Sequence, residues 1–253
     1  MPRIAPASLA EGERIYAVGD VHGRLDRLDE IHDMISDDLI GRPTQSPTII
    51  HLGDYIDRGP DSAAVLSRLA EPIARIAHVK IVNLMGNHEA MFLAALNGEP
   101  GAFRVWIRNG GDKCLQSWGV DPMSWKGRNG GDMSWKGLVP QEHIRFIESL
   151  HLMHIQGGYV FVHAGIRPNF DLNEQRESDL YWIRDPFLDY DGSFSHVVVH
   201  GHTPDENGLP VVRHNRIGID TGAVFGGPLT CVVLERNQMR FLASGVDTVM
   251  PHA

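Results

Sequence analysis

Five short segments of the chain combine glycine with the carboxylate, amide and imidazole side chains that bind metal ions and phosphate. In chain order they are Gly-Asp-Val-His-Gly at 19–23, Gly-Asp-Tyr-Ile-Asp-Arg-Gly at 53–59, Gly-Asn-His-Glu at 86–89, His-Ala-Gly at 163–165 and Gly-His-Thr at 201–203. Any one of them arises easily by chance, because Gly, Asp and His are common in loops. All five together indicate one site, and the chemistry they suggest is hydrolysis of a phosphate ester at a pair of metal ions.

The ligand types indicate which metals such a site would hold. Hard divalent ions prefer oxygen ligands and accept imidazole, so a set without cysteine favours Mn, Fe, Zn or Mg over a thiolate cluster. Asp20 and His22 fit one ion, and Asp54 can bridge two ions because a carboxylate has two oxygens. The second ion would be completed by Asn87, His163 and His202. Two ions about 3.5 to 4 Å apart generate hydroxide at neutral pH and hold both the attacking and the leaving oxygens.

Other side chains of these segments could assist the reaction. His88 adjoins Asn87 and is placed to protonate the leaving alkoxide, and Asp57 can hold the imidazole in the tautomer that this requires. Arg58 and Arg184 are candidates for binding phosphate oxygens, because a planar guanidinium matches that group with two hydrogen bonds and stays charged. Cysteine chemistry is excluded: Cys231 precedes Arg236 by five positions instead of the six that a cysteine-dependent phosphatase needs, and Cys114 precedes no arginine at that spacing.

Composition narrows the class of protein. The chain has 253 residues, and its 23 basic and 32 acidic residues give a net charge of −9, which argues against a nucleic-acid partner. Apolar residues make up 42% of the chain, and no apolar run approaches the roughly 20 residues that span a bilayer. The start of the chain also lacks a cationic flank followed by an apolar core, so we expect a cytoplasmic protein without a membrane partner. No feature of the sequence specifies an oligomeric state.

Apolar, β-branched runs predict strands, and apolar residues at helical spacing predict helices. Strands are predicted at 14–18, 48–52, 79–85, 159–162, 196–199, 216–219, 230–235 and 239–243. Helices are predicted at 25–39, 62–70 and 89–96. The pattern is that of an α/β chain in which each of the five chemical segments follows a strand.

Residues 98–138 interrupt this regularity, because they are rich in Gly and contain four of the five tryptophans. Met-Ser-Trp-Lys-Gly occurs at 123–127 and again at 133–137, and Asn-Gly-Gly-Asp occurs at 109–112 and again at 129–132. Two short copies do not make a solenoid. We interpret them as a local duplication in a loop, with a Trp-bearing flap over the site as the alternative. The first Asn-Gly-Gly is either a tight turn or a loop that faces the substrate.

In order and spacing, the five segments resemble the phosphoprotein phosphatase (PPP) family of binuclear metallophosphatases in its compact bacterial and phage form. Tyr-Trp-Ile-Arg-Asp at 181–185 and Ile-Asp-Thr-Gly-Ala at 219–223 also resemble bacterial members, so the likeness covers roughly residues 14 to 235. The resemblance implies an α/β, calcineurin-like metallophosphatase fold, with a central β-sandwich of two mixed sheets flanked by helices. It also implies one metallophosphatase domain over 1–253, with the Gly- and Trp-rich insertion or cap at about 98–138.

The resemblance implies two divalent metal ions, for which we expect Mn²⁺, with Fe or Zn as alternatives. The implied ligands of the first ion are Asp20, His22 and Asp54, and those of the second are Asp54, Asn87, His163 and His202. Matching positions make His88 the catalytic acid and Asp57 its partner. The implied phosphate contacts are Arg58, Asn87 and Arg184.

The leading hypothesis is a serine/threonine protein phosphatase, or a dual-specificity one, that hydrolyses phosphorylated proteins or peptides directly with metal-bound hydroxide. The alternative enzyme is a symmetrical diadenosine tetraphosphate hydrolase, because such relatives resemble the chain at Asp-Thr-Gly 220–222 and Gly-Gly 226–227. Those relatives typically lack an aspartate at the position of Asp57 and carry Asp where this chain has Glu89, which favours the phosphatase. A third hypothesis, a non-catalytic scaffold that binds phosphoproteins, predicts a damaged metal set, and none of the proposed ligand or acid positions is substituted.

Overall fold

Two mixed β-sheets form the centre of the fold in a computed structural model that describes residues 2–71, 78–121 and 134–245. The strands of the larger sheet are β1 (Arg3–Ile4), β2 (Glu13–Val18), β3 (Ser46–His51), β4 (Lys80–Asn83), β10 (Leu229–Glu235) and β11 (Gln238–Ser244). Their order is β1-β11-β10-β2-β3-β4. The pairs β2–β3 and β3–β4 are parallel, and β10 runs antiparallel to β2 and to β11.

The smaller sheet is built from the later part of the chain. Its strands are β5 (Met153–Gln156), β6 (Tyr159–Val162), β7 (Val197–His200), β8 (Val211–Val212) and β9 (Arg216–Gly218), in the order β5-β6-β7-β9-β8. The strands β6, β7 and β9 are parallel, and an antiparallel strand lies at each edge. All eight predicted strands are therefore present, while β1, β5 and β8 were not predicted.

Helices follow the first three parallel strands. They are α1 (Leu25–Gly41), α2 (Ser62–Ala70) and α3 (Asn87–Asn97), which confirms the three predicted helices. Further short helices are α4 (Ala102–Trp106), α5 (Asp112–Ser117), α6 (Gln141–Glu148), α7 (Glu177–Trp182) and α8 (Asp185–Leu188).

The sheets pack face to face, and helices cover their outer faces. Alternation of side chains along β2 shows the layers: Ile15 and Ala17 pack between the sheets, while Tyr16 and Val18 face the helices. A third cluster joins α7 and α8 to the outer face of the smaller sheet. The result is the β-sandwich of two mixed sheets flanked by helices that the sequence resemblance implied.

The predicted insertion is largely helical where it is described. A π-helical turn, Ile107–Gly111, connects α4 to α5, and a 3₁₀ turn occupies Ser134–Leu138. Trp106 and Trp135 are buried and pack against Phe92. The prediction of a loop was therefore wrong for these parts, and the two tryptophans belong to the core instead of forming a flap. Trp125, the first Met-Ser-Trp-Lys-Gly copy and the second Asn-Gly-Gly-Asp copy lie outside the described residues.

None of the helices in the described ranges combines the length and the apolar character needed to cross a bilayer.

Candidate active site

The segments identified in the sequence lie where strands of the two sheets end. Those at 19–23, 53–59 and 86–89 follow β2, β3 and β4, which are parallel neighbours in the larger sheet. Those at 163–165 and 201–203 follow β6 and β7, which are parallel neighbours in the smaller sheet. Because parallel neighbours present their carboxyl ends at one edge of a sheet, each sheet delivers its loops together.

Hydrogen bonds join the loops of one sheet to those of the other. The backbone N–H of His202 donates to both carboxylate oxygens of Asp20, at 3.2 and 3.1 Å. His163 Nε2 lies 3.0 Å from Asn87 Oδ1 and 3.4 Å from Asp54 Oδ1. All of these residues are buried. The two sheets thus contribute polar side chains to one cluster.

Asp54 lies at the centre of this cluster. Its Oδ2 is 3.4 Å from His22 Nε2 and 4.0 Å from His88 Nε2. Two groups of potential metal ligands share Asp54, one with His22 and His88 and the other with His163 and His202, and the ligand atoms of each group lie within 4.8 Å of one another. A carboxylate shared by two groups of ligands is suited to bridging two ions. The bridging role of Asp54 stays a prediction.

The first of these groups contains His88 where the sequence resemblance implied Asp20. Asp20 nevertheless lies beside the cluster, because its carboxylate accepts the backbone N–H of His202. Burial and the neighbouring carboxylate of Asp220 raise the pKa of Asp20 well above its ordinary value. Buried carboxylates at such close quarters need a compensating positive charge.

The imidazoles of His22 and His163 are held in a tautomer that suits a metal ligand. His22 Nδ1 lies 2.9 Å from the carbonyl oxygen of Ile56, and His163 Nδ1 lies 2.9 Å from that of Leu52. Because a carbonyl only accepts, each Nδ1 carries the hydrogen, and Nε2 is directed at the cluster. A backbone carbonyl behind the ring commonly orients metal-bound histidine in this way.

Two histidines of the cluster are held uncharged, as metal ligands must be, whereas a third takes up positive charge. Burial lowers the pKa of His22 and that of His202 to about 3, and His202 Nε2 is buried without a hydrogen-bond partner among the described residues. Burial also opposes a charge on His163, but the carboxylate of Asp54 outweighs it and raises the pKa of His163 to about 10. A proton or a metal ion can supply this charge, so the residues present fit divalent ions.

His88 and Asp57 form a buried pair beside the cluster. His88 Nδ1 lies 2.6 Å from Asp57 Oδ2, and both side chains are fully buried. Burial lowers the pKa of His88 to about 4 and raises that of Asp57 well above its ordinary value. His88 Nε2, on the other side of the ring, has no hydrogen-bond partner within the described ranges. The structure brings the two residues into contact, and their role as acid and orienting partner stays a prediction.

Asp57 has partners that the sequence did not reveal. The indole N–H of Trp106 lies 3.0 Å from Asp57 Oδ1 and 2.9 Å from Oδ2. The backbone N–H of Asp57 donates to Ser62 Oγ at 3.0 Å. No sequence pattern links Trp106 to Asp57, because they are 49 positions apart and meet only through the packing of α4.

Glu89 shapes the loop that carries Asp54. Its carboxylate accepts backbone N–H groups from Asp54, Tyr55 and Ile56 at 2.9, 2.8 and 3.2 Å, and from Gly86 at 3.1 Å. Burial, together with the charge of Asp54, raises the pKa of Glu89 to about 8. The bond to Gly86 caps the start of α3, and the sequence did not reveal the other three contacts.

Arg58 and Arg184 line a cavity of about 260 Å³ at the cluster. Arg58 Nη1 lies 2.8 Å from His22 Nε2, and Arg184 immediately precedes α8. Trp182 and Phe225 also line this cavity and are exposed. The structure thus brings all ten predicted site residues to one place, and it adds two aromatic rings at the mouth.

The backbone of the site is strained. Among the described residues, eight other than glycine have positive φ, a conformation that L-residues rarely adopt. Five of the eight are site residues, namely His22, Asp54, Asp57, Arg58 and His202. Such strain persists only where the surroundings enforce it, and it gathers at functional sites.

His51 and His200 are buried, hydrogen-bonded residues beside the site. His51 bonds His32 Nε2 at 2.9 Å and Asn83 Oδ1 at 2.8 Å, and His200 Nδ1 lies 3.0 Å from the carbonyl oxygen of Gly201. Neither belongs to the two groups of potential ligands.

Comparisons with known proteins find similar chains that are named as phosphatases or as a tetraphosphatase. Serine/threonine-protein phosphatase 1 of Salmonella typhimurium is 28% identical over 236 residues, which covers 85% of this chain and 89% of that protein. The asymmetrical bis(5'-nucleosyl)-tetraphosphatase PrpE of Anoxybacillus flavithermus is 25% identical, over 85% of this chain and 88% of that protein. The crystal structure of a cold-active protein-tyrosine phosphatase from a psychrophilic Shewanella species shares the fold, with a TM-score of 0.58, 16% identity and coverage of 93% of this chain and 83% of that one.

The family model described as calcineurin-like phosphoesterase matches residues 13–245, which include every strand except β1 and every residue of the site. The chain therefore belongs to the calcineurin-like phosphoesterases and is a hydrolase that acts on phosphate esters.

Proposed function

We propose that the chain is a metal-dependent phosphomonoesterase that removes phosphate from serine and threonine, and to a lesser extent tyrosine, side chains of proteins. The observation that carries this proposal is the His88–Asp57 pair, 2.6 Å apart beside the cluster. A proton donor matters most when the leaving oxygen is a poor leaving group, as the alkoxide of serine or threonine is. A phosphoanhydride has a good leaving group and needs such a donor less.

Family membership implies divalent metal ions, and we propose Mn²⁺ as their identity. Their proposed ligands are Asp20, His22, Asp54, Asn87, His163 and His202. When bound, two such ions lower the pKa of water and offset the charge of the phosphate. His88 holds the proton for the leaving oxygen, and Asp57 orients its ring. Arg58 and Arg184 bind the phosphate oxygens with charged hydrogen bonds.

The size of the cavity supports a phosphomonoester. Pockets that enclose drug-sized ligands have volumes of about 300 to 1,000 Å³. The cavity of about 260 Å³ is therefore suited to a phosphorylated side chain, whereas a dinucleotide with four phosphates would extend beyond it. A relative named serine/threonine-protein phosphatase also supports a phosphoprotein substrate.

A second candidate is hydrolysis of diadenosine tetraphosphate. Trp182 and Phe225 line the cavity and are 42% and 72% exposed, so their rings are available to stack on a purine. A relative named bis(5'-nucleosyl)-tetraphosphatase supports this alternative.

A direct comparison of substrates tests the proposal. The protein, loaded with Mn²⁺, is assayed on phosphoserine, phosphothreonine and phosphotyrosine peptides and on diadenosine tetraphosphate, with a chelator and the variant Asp54→Asn as controls. We expect the highest kcat/KM on the phosphoserine or phosphothreonine peptide, and no turnover in either control. A higher kcat/KM on diadenosine tetraphosphate would favour the second candidate, and equal turnover with the chelator would refute metal dependence.

A further inference from the structure

The turn Trp106–Gly111 brings the insertion into contact with the active site. Its first residue, Trp106, is fully buried and donates its indole N–H to both carboxylate oxygens of Asp57. A π-helical turn, Ile107–Gly111, follows directly. Such turns are rare and often mark functional positions.

Gly111 fits the turn to the indole ring. A Cβ added at Gly111 would lie 2.5 Å from Cε2 and 2.7 Å from Nε1 of Trp106, far inside normal contact. The ring that donates to Asp57 is thus pressed against a backbone that leaves no room for a side chain. Packing against Gly111 on one side and hydrogen bonds to the Asp57 carboxylate on the other set the orientation of the Trp106 ring.

The same turn also contacts Arg58. The backbone N–H of Arg58 donates to the carbonyl oxygen of Gly110 at 3.1 Å. Gly110 has φ +102°, and a Cβ there would lie 2.8 Å from the backbone nitrogen of Arg58. The Asn-Gly-Gly motif is therefore a turn that packs on the segment carrying Asp57 and Arg58, and its Asn109 also lines the cavity.

Trp135 shows that the N–H contact is specific to Trp106. Trp135 lies in the same aromatic cluster, with its ring centroid 5.5 Å from that of Trp106, and it is equally buried. Its indole nitrogen has no hydrogen-bond partner in the described part of the chain. Of these two rings, only that of Trp106 has a hydrogen-bond partner for its N–H among the described residues.

We propose that Trp106 is a positioning residue for the hydrolysis, an inference that rests on the proposed phosphatase function. Its N–H holds the Asp57 carboxylate so that Oδ2 meets His88 Nδ1, which directs His88 Nε2 at the leaving oxygen. As the bond between phosphorus and that oxygen breaks, the electron pair goes to the oxygen, and the proton on His88 converts it to the alcohol. Water supplies the oxygen of the released phosphate, and the proton that this water loses replaces the one that His88 has given up.

Two matched substitutions test this role. Trp106→Phe keeps an aromatic ring and removes the N–H, while Trp135→Phe makes the same chemical change in the same cluster without touching Asp57. Each variant is assayed on 4-nitrophenyl phosphate, which has a good leaving group, and on phenyl phosphate, which has a poor one. We expect Trp106→Phe to lower kcat about 10- to 100-fold on phenyl phosphate and less than about 3-fold on 4-nitrophenyl phosphate, with KM unchanged. Trp135→Phe should slow both substrates by the same small factor.

A spectroscopic measurement supplies a readout that does not depend on turnover. The proton in the 2.6 Å contact between His88 and Asp57 should give a far-downfield ¹H NMR signal, assigned by its loss in His88→Asn. Trp106→Phe should shift or broaden this signal, and Trp135→Phe should leave it in place.

The outcomes separate this inference from the proposed function. Equal slowing of both substrates by Trp106→Phe, or an unshifted proton signal, would overturn the positioning role while the phosphatase function stands. A wild-type protein that is inactive on both phosphates in Mn²⁺ would overturn the proposed function and, with it, the catalytic part of this inference.

Discussion

The substitution Gly111→Ala probes the contact between the turn and the indole ring. At Gly111 the backbone has φ −62° and ψ −18°, so alanine is conformationally acceptable there. In open space such a change stabilises a protein by about 0.4 to 1 kcal/mol, because it restricts the unfolded chain. The effect of this substitution is therefore set by what the new methyl group meets.

The methyl group would lie 2.5, 2.6 and 2.7 Å from three atoms of the Trp106 ring. Ordinary contacts begin near 3.4 Å, so the ring or the turn must move by nearly 1 Å. Overpacking of this kind costs about 1 to 3 kcal/mol. In a protein of this size that lowers Tm by about 2 to 12 °C. The same movement lengthens the bonds of 2.9 and 3.0 Å from Trp106 to Asp57.

Gly41→Ala is the matched control, because Gly41 ends α1 and a Cβ there would meet nothing within 4 Å. Calorimetric melting should show a lower Tm for Gly111→Ala and an unchanged or slightly raised Tm for Gly41→Ala. Turnover of phenyl phosphate should fall in Gly111→Ala alone. A Gly111→Ala variant as stable and as active as Gly41→Ala would refute the packing argument.

Three further predictions concern the cluster and the histidines around it. Asp54→Asn removes the shared carboxylate and should lower metal content, measured by elemental analysis, and turnover by more than about 100-fold. His88→Asn should lower turnover of alkyl phosphates by about 100- to 10,000-fold with metal content near normal, and metal-free protein would instead identify His88 as a ligand. Burial lowers the pKa of His32 to about 3 and of His51 to about 4, whereas the unfolded chain protonates both near 6.5. Unfolding below that pH takes up protons, so the free energy of unfolding in urea should fall between pH 7 and pH 5 by about 2 kcal/mol per ring, and less in His32→Leu.

The predicted fold and the observed one agree where local patterns decide the structure. The strand and helix at 14–18 and 25–39 were visible because β-branched runs and helical spacing reflect burial on one face. The edge strands β1 and β8 have two residues each, and such short stretches carry no period to detect. The insertion was mistaken for a loop because its glycines were counted as turn signals, although Gly111 is there to admit the ring of Trp106.

The site residues were visible for a different reason. A metal ligand or a phosphate contact restricts a position to a few side-chain types, so their order along the chain survives as a pattern. The contacts that hold those residues in place restrict the shape of the neighbouring side chains more than their chemical type. Glu89 shows the intermediate case, because its helix-start position was readable while its bonds to Asp54, Tyr55 and Ile56 depend on the fold of another loop.

The positive φ angles of Asp57 and Arg58 give a physical reason for the insertion to contact the site. Each of these residues adopts a conformation that costs on the order of 1 to 3 kcal/mol, and the chain segment around them must be held from outside. Trp106 bonds the side chain of Asp57, and Gly110 accepts the backbone N–H of Arg58. The turn thus offsets strain at Asp57 and Arg58, the two residues proposed to orient the acid and to bind the phosphate. If the turn acts in this way, removing the Trp106 N–H should slow the proton transfer from His88 while the fold stays intact. The comparison of Trp106→Phe with Trp135→Phe tests this expectation.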